Sequence, residues 1–106
     1  MLRPIHAATA MLVALALAQP SHAATVTVTI TNYTFAPAKI TVHPGDTVVW
    51  NNQDSIPHTA TSLDGKTFDS GAIDPNATWS TVLTKAGKFP YRCSIHPDMQ
   101  GEVDVQ

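Results

Sequence analysis

The stretch that decides the reading is Gly87-Lys88-Phe89-Pro90-Tyr91-Arg92-Cys93-Ser94-Ile95-His96-Pro97-Asp98-Met99-Gln100-Gly101-Glu102-Val103-Asp104-Val105. Phe89, Tyr91 and Cys93 share one face at period two, as do Val103 and Val105. One strand therefore runs into this stretch and another leaves it at Gly101. The loop between them, Ser94 to Gln100, carries the imidazole of His96 and the thioether of Met99 beside the Cys93 sulfur. A soft thiolate, a borderline imidazole and a weak thioether make a donor set suited to copper, above all when a second histidine completes a trigonal His₂Cys plane with a long axial Met.

Working outward, the second histidine is His58, in Asn51-Asn52-Gln53-Asp54-Ser55-Ile56-Pro57-His58-Thr59. Thr47-Val48-Val49-Trp50-Asn51 reads as a strand with Val48 and Trp50 inward, entered through the turn Pro44-Gly45-Asp46. The segment after Asn51 falls at the pole of the Cys93 loop, and His43 falls at the other. At about 3.3 Å per residue the two ends of that strand lie roughly 15 to 20 Å apart, so His43 reads as a surface residue.

The remaining sequence continues the pattern. Thr25 to Thr31 alternates strictly, with Val26, Val28 and Ile30 on one face. Ile40-Thr41-Val42 follows, and Thr78 to Thr84 places Trp79, Thr81 and Leu83 together before the turn Lys85-Ala86-Gly87-Lys88. Prolines at 37, 44, 57, 75, 90 and 97 oppose long helices. Seven or eight short strands with frequent turns indicate an all-β sandwich. Trp50, Trp79, Phe35, Phe68, Phe89 and Tyr91 read as its core.

The first 23 residues read as a signal peptide: Arg3, an apolar run from Ala7 to Ala18 relieved by Thr9, then Ser21-His22-Ala23 with small residues flanking a cleavage point after Ala23. The run is too short to span a bilayer comfortably. The folded domain is then 24–106, exported to the periplasm and free of the membrane once cleaved. The whole chain carries 6 basic and 8 acidic residues; without Arg3 the balance is 5 against 8, or −3. Lys39, Lys66, Lys85 and Lys88 are scattered, so nothing here makes a nucleic-acid surface. A single Cys in an oxidising compartment cannot form an internal disulfide, and coordination gives the unpaired thiol a role.

The pattern Phe35-x-Pro37, Gly45-Asp46-Thr47-Val48-x-Trp50-x-Asn52, His58, then Ala86-Gly87-x-Phe89-x-Tyr91-x-Cys93-x-x-His96-Pro97-x-Met99-x-Gly101-x-Val103 resembles the cupredoxins, the small blue-copper proteins, over nearly the whole mature chain. Its short Cys-x₂-His-x₂-Met loop is closer to the amicyanin branch than to plastocyanin, pseudoazurin or azurin. The resemblance implies an eight-stranded Greek-key sandwich, one type 1 copper, and one-electron transport between a redox donor and acceptor in transient encounters, by a monomer with no enzymatic activity. Carried over by position, His58, Cys93 and His96 are the equatorial ligands and Met99 the axial one. His58 is expected to be buried with its other ring nitrogen on backbone, and His96 to present an edge to solvent. Ile56, Pro57, Ile95 and Pro97, with Ala36 and Pro37, are expected to form the apolar docking patch around it. Two departures stand out. Ile95 replaces the proline usual before the second histidine, and its N–H is available to point at the Cys93 sulfur; Asp98 sets an acid beside the patch.

Two other classes fit less well. A copper-handling protein without an electron-transfer role would share the compartment, but such proteins favour open Met- or His-rich sites, and the mature chain has one Met. A Cys/His hydrolase needs a base and an oxyanion pocket, and Met99 serves neither.

Overall fold

The structure is a computed structural model describing residues 23–106, so the expected leader, apart from Ala23, lies outside the described residues. Eight strands follow in order: β1 (Thr25–Thr31), β2 (Thr34–Ala36), β3 (Lys39–Val42), β4 (Asp46–Asn52), β5 (Thr61–Ser62), β6 (Thr78–Leu83), β7 (Gly87–Arg92) and β8 (Gln100–Val105). No helix occurs among the described residues. One sheet has the order β2-β1-β4-β6 and the other β3-β8-β7-β5, which is the Greek-key sandwich expected from the sequence. Each sheet is mixed: β1 runs parallel to β4 and β3 parallel to β8, with antiparallel pairs elsewhere.

Period two sets what is inside. Val28, Ile30, Val48, Trp50, Tyr91, Val103 and Val105 pack between the sheets. The aromatic rings form one cluster, with Trp50 against Phe68, Trp79 and Tyr91 at centroid distances of 5.2, 5.7 and 5.4 Å. Trp79 and Phe89, expected in the core, are only partly buried. For Trp79 the reason is topological: β6 is an edge strand, covered on one side by β4 alone. Two elements have too few residues for a period to show, β2 with three and β5 with two.

The chain bends where the ligand pole needs it. Asn32 and Tyr33 both take positive φ, 51° and 58°, in the tight turn joining β1 to β2. Gly101 pairs with Tyr91 across β7 and β8. A Cβ at Gly101 would come within 2.5 Å of Tyr91 Cζ, so only glycine lets the strand leave the ligand loop against that ring. Burial pushes the Tyr91 phenol up to about 12, which keeps it protonated beneath the loop.

Candidate metal centre

Three donors meet at one pole of the sandwich. Cys93 follows the end of β7, His96 sits in the loop to β8, and His58 comes from the long connection after β4. Their candidate ligand atoms all lie within 4.8 Å of one another. Cys93 Sγ is 3.8 Å from His58 Nδ1 and 3.8 Å from His96 Nδ1, so both rings turn the same nitrogen toward the sulfur. Metal–sulfur and metal–nitrogen bonds of about 2.3 and 2.05 Å put those atoms about 3.8 Å apart at a trigonal angle and about 3.55 Å apart at a tetrahedral one. The observed separations place the sulfur and both nitrogens within reach of one shared ion. His58 and Cys93 are fully buried and His96 is half-buried.

The fourth expected residue, Met99, is 4% exposed. Its backbone closes the loop: Met99 N–H donates to His96 O at 2.9 Å, and Cys93 N–H donates to Met99 O at 3.1 Å. His43, at the opposite end of β4 in the turn after β3, is exposed and stays apart from the cluster. Of the expected patch, Pro57, Ile95 and Pro97 are exposed and Ile56 is half-buried.

His58 is held on every side. Its backbone forms a two-way bridge with Ile73, through His58 N–H to Ile73 O at 3.2 Å and Ile73 N–H to His58 O at 2.7 Å. Buried Asn52 organises the connection, its amide donating to Ile56 O and Ile73 O, both at 2.9 Å, while its side-chain oxygen accepts from Asp54 N–H at 2.9 Å. The second ring nitrogen, expected on backbone, instead meets a carboxylate: His58 Nε2 lies 2.8 Å from Asp54 Oδ2. That carboxylate also accepts from Asn32 N–H at 2.6 Å and Tyr33 N–H at 2.9 Å. Desolvation would raise the Asp54 carboxyl, but the Tyr33 N–H, the His58 ring and the Asn32 N–H together hold it below the usual carboxylate range. An ionised Asp54 only accepts, so Nε2 carries the imidazole proton and Nδ1 keeps its lone pair facing Cys93.

The sulfur also differs from expectation. Its backbone donor is Thr59 N–H at 3.3 Å, from the His58 segment, and no hydrogen bond from Ile95 reaches it among the described residues. Thr59 further ties the two ligand segments together: its hydroxyl accepts from Ser94 N–H at 2.7 Å and donates to Ser94 Oγ at 3.1 Å. Tyr33, 52% exposed, stands edge-on to both histidines, with centroids 5.4 Å from His58 and 5.0 Å from His96. Asp54, Thr59 and Tyr33 were not singled out from the sequence. An acid four residues before His58 is the one local signal for Asp54, and Tyr33 reaches the site only through its turn.

A sandwich with a buried cysteine sulfur and two inward Nδ1 atoms at one pole is a framework for a single soft-to-borderline metal ion. A family model described as a cupredoxin-like domain matches residues 4–105, and the chain belongs to that family. Amicyanin-alpha of Methylorubrum extorquens is 30% identical over 105 residues, covering 93% of this chain and 88% of the relative. Amicyanin of Paracoccus denitrificans is 29% identical over 85 residues, covering 76% of this chain and 65% of that protein, so the match spans just under two thirds of its length. Among solved structures, the purple cupredoxin of Nitrosopumilus maritimus aligns with a TM-score of 0.71 and 29% identity over 76% of this chain and 99% of its own. The family's cofactor is one copper ion, and the donor set and spacing here fit it.

Proposed function

We propose that this protein is an exported electron carrier whose copper would be held by His58 Nδ1, Cys93 Sγ and His96 Nδ1, with the Met99 thioether as a fourth, weaker donor. The observation that carries the reading is the pair of equal sulfur–nitrogen separations of 3.8 Å around a fully buried cysteine. Copper, when bound, supplies a Cu(II)/Cu(I) couple that takes up and releases one electron.

The chain's own residues do the rest. Asp54 and the Ile73 bridge fix His58 in position and tautomer, and Thr59 locks the Cys93 segment to it, so the donors are set before the metal arrives. A donor set that moves little between oxidation states keeps the cost of each transfer low. The Thr59 N–H draws electron density from the Cys93 sulfur and favours the reduced state. His96, the half-buried ligand, offers the short route to a partner. Around it Pro57, Ile95 and Pro97 give an apolar rim suited to small, short-lived encounters between redox proteins, with Tyr33 adding an exposed ring. In this reading the protein is a carrier rather than an enzyme. It acts as a monomer in the periplasm after cleavage following Ala23, exchanging electrons with a donor and an acceptor protein.

Stoichiometric Cu(II) titration followed by a mild reductant tests the reading. An intense visible band that bleaches on reduction and returns on reoxidation supports electron transport. A bound copper that cannot be cycled in this way would leave a copper-handling role in its place.

A further inference from the structure

The pole opposite the metal centre holds an acid that the proposed function does not use. Asp46, at the start of β4, is 4% exposed, and both its oxygens are occupied by backbone. Oδ1 accepts from Ala24 N–H at 2.9 Å and Oδ2 from His43 N–H at 2.8 Å. The one titratable side chain paired with it among the described residues is His43, whose Nδ1 is 3.8 Å away on a side chain 83% exposed. No lysine or arginine of the described residues pairs with it. A carboxylate taken out of water is costly unless a cation answers it. The Ala24 N–H, then the His43 N–H, hold this carboxyl below its usual range, so it is ionised at neutral pH.

Ala24 is the residue that follows the expected cleavage point, and its backbone is tied to β4 on both sides. Its carbonyl accepts from Thr47 N–H at 2.9 Å, and the next residue, Thr25, is registered opposite Thr47 in the parallel ladder of β1 and β4. The nitrogen is thus held against Asp46 from the β4 side.

We propose that Asp46 is the receptor for the α-ammonium group released when the Ala23–Ala24 bond is hydrolysed, so that removing the leader adds an ion pair to the fold and makes the processed chain more stable than its precursor. The inference rests on the reading that the leader ends at Ala23. In the step, a signal peptidase adds water across the bond. The hydroxyl stays on the Ala23 carbonyl, which becomes a carboxylate, and the Ala24 nitrogen leaves as an amine and takes a proton at neutral pH. A neutral N–H donor becomes a cation at the same place, and 2.9 Å suits a charge-assisted N–H to carboxylate bond. Ala24 is exposed, so the two added N–H groups can reach solvent.

The test starts from the full chain, expressed with export and recovered as the processed protein. Intact mass shows the cleavage point: a product starting at Ala24 is expected, and any other start overturns the proposal by removing its premise. On a product starting at Ala24, the α-amine alone is acetylated, which restores the neutral N–H of the precursor and removes only the charge. At pH 6.5 capping is expected to lower the Tm of the wild type by about 3 to 8 °C, a shift of the size one surface-to-buried ion pair gives a domain this small. In Asp46→Asn the same cap is expected to change Tm by less than about 1 °C, by the additivity of uncoupled changes. Equal shifts in both proteins would overturn the pairing while leaving the cleavage reading intact. If Asp46→Asn does not fold, NMR titration of the Ala24 α-amine in the wild type decides. A value raised above the ordinary 7.7 to 8.0 is expected, and one at or below that range refutes the pair. A raised amine stabilises fully below its unfolded value, so the capping effect should disappear as pH rises through the folded one.

Discussion

Replacing Asp54 by alanine tests how the metal centre is held. The change removes one carboxylate that accepts from His58 Nε2 at 2.8 Å, Tyr33 N at 2.9 Å and Asn32 N at 2.6 Å. The two backbone groups lie at the surface, where water can replace the lost acceptor. The His58 ring is fully buried, and its stranded N–H costs about 1 to 3 kcal/mol. For a domain of this size each kcal/mol moves Tm by about 4 to 8 °C, so the apo protein should melt about 4 to 24 °C lower. The metal should feel it separately. The carboxylate fixes the ring's orientation and raises the basicity of Nδ1 as well as setting the tautomer, so without it Cu(II) affinity should fall about 10- to 100-fold. Competition with a chelator of known affinity measures the second effect and thermal melting of the apo protein the first. An Asp54→Ala protein with affinity within about twofold of wild type would show that the 2.8 Å contact does not orient the ring.

Three further outcomes follow from the same contacts. Gly101→Ala drives a methyl into the Tyr91 ring at 2.5 Å, so it should destabilise the apo protein by about 1 to 3 kcal/mol in chemical denaturation and loosen the exit of the ligand loop. Thr59→Val keeps the shape and the N–H to sulfur but strands Ser94 N–H, previously bonded at 2.7 Å; copper should dissociate faster in stopped-flow chelation while the visible spectrum keeps its position. Acid should unfold the apo protein through Asp46, Asp54 and Asp64, whose carboxyls are all held below their ordinary value. The unfolded chain then binds protons first, so the stabilisation is present above the ordinary carboxylate value near 3.9 and is lost as pH falls through the depressed folded values. Circular dichroism melts between about pH 6 and 2 should show that loss, and a flat profile would contradict it.

How much of this was legible in the sequence follows from the range of each interaction. The strands with a long period-two record are legible: Thr25–Thr31 has the bounds read from the sequence and Asp46–Asn52 runs one residue further at each end, with Val28, Ile30, Val48 and Trp50 buried as expected and Val26 only partly so. The spacing of Cys93, His96 and Met99 is local and needs only a loop between two strands. The three-residue β2 and two-residue β5 carry no readable period and form because neighbouring strands offer them partners. The network around His58 was hidden for a different reason. Thr59 meets Cys93 and Ser94 across 34 and 35 residues, and Asp54 meets Tyr33 across 21, so these contacts exist only once the two segments are packed. Tyr33 reaches the histidines because a positive φ of 58° swings its side chain there, a conformation that a tyrosine does not announce.

In the proposed centre a Cys93 thiolate joins His58 and His96 around one copper. Visible absorption of Cys93→Ser loaded with Cu(II), beside wild type loaded in the same way and with both folds checked by circular dichroism, decides whether the sulfur is bound. Wild type should show intense sulfur-to-copper charge transfer, and Cys93→Ser should be nearly colourless while still folded, because a serine oxygen gives no such low-energy transition. An intense visible band that survives in folded Cys93→Ser would contradict the account.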